Sequence, residues 1–345
     1  MADTRRKYRV TDIAAQAGLS RATVDRVLHG RVGVRPETVA QVDRAITELD
    51  RQRSQVHLSS KAVILDLVMQ TPERFAAACR QALESELQAL RPAVARARFH
   101  LEEHSDPQRA ATVLDRIARR GSQGVILKAP DHPAVIAAVA ALKKAGVPVV
   151  TLVTDIPTSE RAAYVGVDNF AAGATAAYLV TNWAGSSGDV LLTLSNSSFR
   201  GEEERETGFR TTLGRLAPDR QVWVVTDTDG LDQTMIEAVR GALRDHRSVD
   251  AVYSIGGGNQ ATLTAFHEVG RRPFVFVAHD LDADNLALLR TRRVTMVLHH
   301  DLKADMRLAC RLLLQAGGVL PGHPVSLPSQ VQVVTPFNEP AAQVR

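Results

Sequence analysis

Short apolar segments alternate with stretches of helical length along nearly all of the chain after Lys61. Eight of these segments read as strands: AVILDLVM, ARFHLEE, GVILK, VPVVTLV, DVLLTL, QVWVVT, AVYSI and FVFVA. A helical stretch separates each pair, apart from a short segment around AAYVGVD. This alternation predicts an α/β fold with parallel, doubly wound sheets. Because about 280 residues exceed one comfortable hydrophobic core, we expect this part to form two lobes.

The first sixty residues predict a separate unit of three helices. Thr11 can cap a helix that runs to Ala17, where Gly18 can end it in the left-handed conformation. Ser20 can cap a second helix from Arg21 to about Leu28. A third helix starts with Pro36 and places its apolar residues on one face: Val39, Val42, Ile46 and Leu49. Two short helices joined by a glycine-containing turn form a helix-turn-helix, whose second helix fits the major groove of DNA.

The excess positive charge of the chain lies in this N-terminal unit. Residues 1–61 carry 12 Lys and Arg against 7 Asp and Glu, a net charge of +5, whereas the whole chain carries +4. A basic unit on a near-neutral body is typical of a head that binds a polyanion such as nucleic acid, although a solubilising arm explains the charge equally well.

Cysteine content and hydropathy limit the compartment and the cofactors. Cys79 and Cys310 lie in helical stretches without CxxC spacing, so we expect free, buried thiols in a reducing compartment. No apolar run reaches the ~18 residues that span a bilayer, and the basic N-terminus lacks the apolar segment of a signal peptide. These features predict a cytoplasmic protein. The run His299-His300-Asp301 is a weak metal signal without a third ligand, and we predict neither a metal nor a cofactor.

Residues 10–49 resemble the DNA-binding head of the LacI (lactose-repressor) family almost position by position. The resemblance implies that five residues face DNA: Ser20, Arg21, Ala22, Thr23 and Arg26. Of these, Arg21, Ala22 and Arg26 would meet base edges, while Ser20 and Thr23 would meet phosphates. Thr11, His29 and Asp25 complete the candidate contacts; Asp25 stands where the family usually has Ser and needs a partner near phosphates. The linker LDRQRSQVHLSSK departs from the family pattern, and Leu58 is the nearest candidate for a minor-groove wedge.

The body is similar to the periplasmic-sugar-binding-protein-like sensor of the same family, and to its ribose-binding branch. The segments VPVVTLVTD, YVGVDNFAAG, EERETGFR, AVYSIGGGN, FVAHDLD and VLHHD carry the match. The resemblance implies a DNA-binding domain and linker over residues 1–60 and a sensor domain over residues 61–345. It also implies a Rossmann-like sensor (periplasmic binding protein type 1-like) whose lobes cover about 61–166 with 299–325, and about 167–298 with 326–337.

Polar residues at the carboxyl ends of strands are candidates for the effector site, since open α/β sheets bind ligands there. The candidates are Phe75, Asp131, Asp155, Arg200, Arg205, Asn259, Asp280 and His300. The resemblance implies that Arg205 and Asp280 match effector contacts of the family. It also implies that His300 occupies a position where the family has Gln, and that Asn259 lies one place beyond the family's Asn. Val153 stands where the family frequently has Asp, a role that Asp155 can take. Asp131 and Asn259 can equally be helix caps, and Arg200 and Arg205 a solvated face.

Together these features predict a non-enzymatic transcription regulator. We expect a homodimer on a pseudo-palindromic DNA operator, acting as a repressor that senses a sugar or polyol. One alternative is a nucleotide-dependent oxidoreductase, because Gly256, Gly258 and Ala261 fit the G-x-G-x-x-G/A pattern and Asp280 follows about 20 residues on. The other alternative is a sugar-binding protein without a role on DNA.

Overall fold

The computed structural model describes residues 8–31, 33–59, 63–89, 95–104, 106–183, 188–195, 199–226 and 232–340, without the side chains of residues 50–59 and 89. Contacts divide the chain into two compact units, one made of residues 1–63 with 90–96 and one made of the rest. Within the described residues, no helix is both long and apolar enough to cross a membrane.

Three helices form the N-terminal head: α1 (Val10–Ala17), α2 (Arg21–Leu28) and α3 (Pro36–Ser59). Gly18 ends α1 at a φ of 64°, and Ser20 caps α2 by accepting from the Thr23 backbone N–H at 3.1 Å, as predicted. The prediction that Thr11 caps α1 is wrong. Arg9 is the cap residue instead, and its carbonyl accepts from the N–H groups of residues 12 and 13. The helix therefore starts two residues earlier than predicted, and Thr11 lies within its first turn.

A small apolar core holds the head together. Its buried members come from all three helices: Ile13, Ala14, Ala17, Val24, Val27, Val42, Ala45 and Ile46. Gln41 also ties α3 to the end of α1, because its side-chain amide donates to the Ala17 carbonyl at 2.8 Å. The α3 backbone continues as helix to Ser59, through the expected linker; the side chain of Leu58 lies outside the described residues.

The first sheet of the larger unit has the order β2-β1-β3-β4-β5. Its strands are β1 (Val63–Gln70), β2 (Ala95–Glu102), β3 (Gly124–Lys128), β4 (Val149–Leu152) and β5 (Ala163–Val165). Pairing is parallel from β1 through β3 and β4 to β5. The connecting helices are α4 (Glu73–Ala89), α5 (Pro107–Arg120) and α6 (Pro133–Lys144). Strand β3 is buried along its whole length, as expected for an apolar segment covered on both faces.

The second sheet has the order β11-β10-β9-β8-β6-β7. Its strands are β6 (Asp189–Leu194), β7 (Val222–Thr226), β8 (Val249–Ser254), β9 (Val275–His279), β10 (Met296–His299) and β11 (Gln332–Val334). All pair in parallel except β11, which runs antiparallel to β10. The helices that follow in the chain are α7 (Asn169–Trp183), α8 (Arg200–Leu216), α9 (Asp232–Asp245), α10 (Asn259–Glu268), α11 (Ala283–Arg290) and α12 (Leu302–Ala316). The predicted α/β fold with parallel sheets is confirmed.

Two glycines allow α7 and α8 to pack with their backbones in contact. A Cβ on Gly173 would lie 1.9 Å from the Arg205 carbonyl oxygen, and a Cβ on Gly208 would lie 2.1 Å from that of Phe170. No larger residue fits at either position without separating the helices. This packing fixes the N-terminal half of α8, from which functional side chains project.

The chain crosses between the sheets three times, and the crossings contact one another. After β10 it returns to the first sheet, where α12 packs against α4, β3, β4 and β5. Val167, which follows β5, forms a bridge with Ser329, which precedes β11. In each sheet the strand order reverses once, between β1 and β3 and between β6 and β8. Ligands of open α/β sheets bind beyond the carboxyl ends of the strands at such points.

Candidate effector cavity and DNA-binding face

A cavity of about 440 Å³ lies between the two sheets, beyond the carboxyl ends of their strands. The first sheet contributes the residues after β1, the start of α4 and the last residue of β3; the second contributes the residues after β6, β8 and β9 and the start of α8. Both reversals of strand order therefore open into the same space. Among the predicted effector residues, Phe75, Arg205 and Asp280 line this cavity.

Asp280 follows β9 and holds its carboxylate at the cavity wall. Its backbone adopts a φ of 63°, and Asn285 fixes this turn by donating to the carbonyls of His279 and Asp280 at 2.9 and 2.7 Å. One carboxylate oxygen faces His300 Nε2 at 3.6 Å. Burial raises the pKa of Asp280, but His300 and Arg205 outweigh it and hold that pKa well below its usual range. Asp280 is therefore an ionised acceptor.

His300 lies directly behind Asp280 rather than in the cavity. Its Nδ1 bonds to the carboxylate of Asp305, on the first turn of α12, and Asp305 also accepts from the Ser329 hydroxyl. Burial lowers the pKa of His300, but the two flanking carboxylates outweigh it and raise the pKa to about 9. The resulting chain of charges joins the cavity carboxylate to α12 and to the segment before β11.

Arg205 projects from α8 and is nearly fully buried. Its Nε donates to the side-chain carbonyl of Asn169 at 2.8 Å, and Asn169 in turn donates to the Val153 carbonyl at 3.1 Å. The terminal nitrogens of Arg205 have no hydrogen-bond partner among the described residues. They are available to a ligand in the cavity.

Val153 lines the same cavity with a strained backbone. Its φ is 67°, a left-handed conformation that β-branched residues rarely adopt. Three hydrogen bonds hold it there: its N–H donates to the Val165 carbonyl, and its carbonyl accepts from the Tyr164 hydroxyl and from Asn169. Strain of this kind persists where surrounding structure enforces it, and it clusters at ligand sites.

Sequence reasoning missed most of the ionisable groups in the cavity, among them Lys128 and Glu202. Lys128 is the last residue of β3; its Nζ donates to the Gln70 carbonyl at 3.2 Å and lies 3.7 Å from the centre of the Phe199 ring. Glu202 lies three residues before Arg205, on the same face of α8, and its oxygens accept from the Ser195 hydroxyl at 2.7 Å and from its backbone N–H at 3.1 Å. The sequence did contain a signal for Lys128, because this charged residue ends the apolar strand segment GVILK.

Burial moves both ionisation equilibria toward the neutral forms. It lowers the pKa of Lys128 to about 8, against the opposing effect of Glu202 and Asp280. It raises the pKa of Glu202, although the hydrogen bond from Ser195 and the charge of Lys128 oppose this change.

An ion pair joins the two sides of the cavity. Arg74, in the first turn of α4, places Nε 2.8 Å from the carboxylate of Asp282, which caps α11. A Cβ on Gly257, in the loop after β8, would lie 2.6 Å from a terminal nitrogen of Arg74. Gly257 also has a φ of 104°, a backbone conformation that other residues rarely adopt, so this position favours glycine. The loop carries the glycines that suggested a dinucleotide fingerprint, and here they line the cavity.

Four other predicted effector residues lie outside the cavity lining and have partners within the protein. Asp155 pairs with Arg161 and accepts from the Thr151 hydroxyl. Arg200 pairs with Glu204 at 2.8 Å, and Asp131 lies 3.8 Å from Arg200. Asn259, the first residue of α10, donates to Asn285 at 2.6 Å. Asn259 thereby supports the turn that presents Asp280.

The head exposes the outer face of α2. Ser20, Arg21, Ala22, Arg26 and His29 are exposed, while Thr11, Thr23 and Asp25 are partly buried. Asp25 has a cationic neighbour: its carboxylate lies 3.7 Å from Arg31, and 3.2 Å from the His29 ring. Arg21 and Arg26 have no carboxylate partner among the described residues. Both guanidinium groups of α2 are thus exposed without an ion-pair partner in the described part of the chain.

Comparisons with known proteins agree with both parts of this description. Residues 67–318 match the family model of the periplasmic binding protein domain, and residues 9–54 match that of the bacterial regulatory proteins of the lacI family. The chain belongs to the lacI family, with a periplasmic binding protein domain as its larger part. Proteins built from these two domains are typically not enzymes, and the oxidoreductase alternative is not favoured. Among curated proteins, no sequence matches the chain.

Solved structures share the fold of the lacI-family sensor domain. A glucose-galactose binding protein from Geobacillus stearothermophilus has a TM-score of 0.72 at 16% identity, covering 81% of this chain and 99% of that one. A putative LacI transcriptional regulator from Bacteroides fragilis has a TM-score of 0.72 at 14% identity, covering 81% and 98%. A solute-binding protein from Burkholderia graminis in complex with D-arabinose has a TM-score of 0.72 at 17% identity, covering 81% and 97%. Identities this low show the fold alone.

Proposed function

We propose that this lacI-family protein is a sequence-specific repressor of a carbohydrate or polyol uptake or catabolism operon. A small sugar-like effector bound in the cavity controls its affinity for operator DNA. The observation that carries the proposal is the combination in one chain of a helix-turn-helix with exposed arginines and a cavity whose Asp280 and Arg205 face inward.

The cavity chemistry suits a polyhydroxylated ligand. A carboxylate such as Asp280 accepts from neighbouring hydroxyls, and the terminal nitrogens of Arg205 donate to ligand oxygens. Phe75 offers a buried aromatic ring for an apolar ring face. The volume of about 440 Å³ lies within the usual range of small-molecule sites.

A ligand in this position controls DNA binding by selecting one arrangement of the sheets. Arg74 and Phe75 contact it from the side of the first sheet, and Arg205 and Asp280 from the side of the second. Since only one relative arrangement brings all four groups to the ligand, binding shifts the population toward that arrangement. The head then senses the shift as a change in DNA affinity.

On DNA, we propose that Arg21 and Arg26 read base edges and that Ser20 and Thr23 contact phosphates. One such head reads only a few base pairs, so the proposed active species is a homodimer on a pseudo-palindrome with half-sites about one helical turn apart.

The test is Asp280→Asn, which removes the charge while Asn tolerates the left-handed backbone. We expect ligand affinity to fall about ten- to hundredfold, because charge-assisted hydrogen bonds contribute about 1.5–3 kcal/mol each. DNA affinity without ligand should stay unchanged, as measured by fluorescence anisotropy. Asp284→Asn, at an exposed position four residues later, is the matched control. A folded Asp280→Asn variant that still responds to the effector contradicts the proposed role of Asp280.

A further inference from the structure

The charged side chains that line the cavity differ in how many hydrogen bonds and ion pairs they make within the protein. Glu202 accepts from the hydroxyl and from the backbone N–H of Ser195. Asp282 pairs with Arg74 and accepts from the Asn285 N–H. These two carboxylates are satisfied within the protein.

The two cations that line the cavity, Lys128 and Arg205, are not fully satisfied by hydrogen bonds within the protein. Lys128 makes one hydrogen bond, to the Gln70 carbonyl, and Arg205 makes one, from Nε to Asn169. Neither has a carboxylate within 4 Å in the part of the chain that the structure describes. Both residues are more than nine-tenths buried, at 8% and 4% exposed. A buried cation without a paired anion is costly, and such costs are tolerated where a ligand completes the site.

Two acceptors complement these donors. The side-chain oxygen of Gln70 is buried without a partner among the described residues, and Gln70 lines the cavity. The carboxylate of Asp280 is held ionised by His300 and is 24% exposed. The cavity therefore offers two cationic donors and two acceptors that a ligand can engage.

We infer that the effector is an acidic sugar, a monosaccharide that carries one carboxylate. This inference rests on the proposed function. The ligand carboxylate binds between Lys128 and Arg205, and its hydroxyls donate to Asp280 and to the Gln70 side-chain oxygen. A neutral sugar would leave the two buried cations without a directly paired carboxylate. A phosphorylated sugar would bring a second negative charge toward Glu202 and Asp280.

This ligand class has a protonation signature. The groups that face Lys128 are Glu202 and Arg205 from α8, Asp280 after β9 and the Cys79 thiol from α4. With a pKa of about 8, Lys128 is charged at pH 6.5 and largely neutral above pH 8 in the free protein. A bound carboxylate raises that pKa. Binding above pH 8 therefore takes up a proton, and affinity falls as pH rises through 8; a neutral sugar does neither.

The experiment is isothermal titration of the full chain with D-glucuronate, D-galacturonate, D-gluconate and D-galactonate. D-Glucose, D-galactose and D-glucose 6-phosphate serve as counterparts that differ in the acidic group. Titrations at pH 6.5 and 8.5, each in two buffers of different ionisation enthalpy, give the proton count. We expect at least one carboxylate to bind about tenfold or more tightly than its neutral counterpart, with proton uptake at pH 8.5 only.

Two variants locate the effect. Lys128→Met should abolish the proton uptake and weaken carboxylate binding about ten- to hundredfold, while raising the melting temperature because it removes a buried charge. Lys144→Met removes an exposed charge at the end of α6 and should change neither. Since His300 also titrates near pH 9, uptake that persists in Lys128→Met assigns the proton to another group and overturns the inference.

The outcomes separate this inference from the proposed function. Binding of a neutral or phosphorylated sugar in preference to every carboxylate overturns the ligand class and leaves the sugar-responsive repressor standing. Carboxylate binding that Lys128→Met does not weaken overturns the placement of the carboxylate beside Lys128. If none of the seven compounds binds, both the ligand class and the proposed function fail.

Discussion

Asp305→Asn tests the buried chain of charges behind the cavity. Asp305 is 2% exposed, bonds to His300 and accepts from Ser329, so it joins α12 to the ends of β9 and β10 and to the segment before β11. Removing one member of a buried ion pair costs about 3–5 kcal/mol of unfolding free energy, because the partner is left uncompensated. Asn keeps one acceptor for Ser329, so we expect a loss near the lower end, about 3 kcal/mol.

The pH dependence gives a second magnitude. The pKa of His300 is about 9 in the folded protein against an ordinary value of 6.5, which corresponds to about 3 kcal/mol of stabilisation. Because the folded pKa is the higher one, this stabilisation is complete below pH 6.5 and is lost as pH rises through about 9. In Asp305→Asn the pKa of His300 falls, so the decline in stability between pH 6.5 and 9 becomes shallower.

Urea unfolding followed by tryptophan fluorescence measures both effects. The chain has two Trp, Trp183 and Trp223, and both lie in the sensor domain, so the signal excludes the head. Asp301→Asn, at the cap of the same helix, is the control, since Asn caps as well as Asp. Equal unfolding free energies for wild type and Asp305→Asn, or parallel pH profiles, would refute this account of the charge chain.

Three further predictions concern DNA, assembly and the cavity. Arg21→Ala or Arg26→Ala should weaken binding to the specific site by about 1–3 kcal/mol and to random duplex much less, measured by anisotropy; equal losses would show a phosphate contact instead. Sedimentation velocity at micromolar concentration should show a homodimer, and a monomer that still binds its site tightly contradicts it. Arg74→Met removes the ion pair to Asp282, so the ligand-free protein should scatter X-rays with a larger radius of gyration; an unchanged radius argues that this pair does not hold the sheets together.

The sequence predicts strand ends well because hydrophobic periodicity is local. The segments GVILK and FVFVA each become a strand whose carboxyl end opens into the cavity, which places Lys128 and Asp280 there. Periodicity does not reveal which polar side chain at a strand end pairs with another protein group and which faces the cavity. Asp155 follows β4 just as Asp280 follows β9, yet Asp155 pairs with Arg161.

Contacts between distant segments account for the rest. His300 faces a carboxylate on α12 and one after β9, and that geometry follows from how the crossings between the sheets meet. Strand β11 has only three residues and pairs antiparallel with β10, so it carries no periodic signal of its own. At Thr11 the local side-chain signal was misleading: Arg9 caps α1 through its backbone, so the helix starts two residues earlier than predicted.

The central claim is that one ligand site controls one DNA site within the same chain. The most direct measurement is the affinity of the full chain for duplexes selected from a random library, by anisotropy, with and without a ligand found by calorimetry. We expect an enriched pseudo-palindrome and a change in DNA affinity of about fivefold or more when the ligand saturates the protein. Failure to enrich any DNA sequence from the library, or the same DNA affinity with and without bound ligand, would contradict the proposed control of DNA binding.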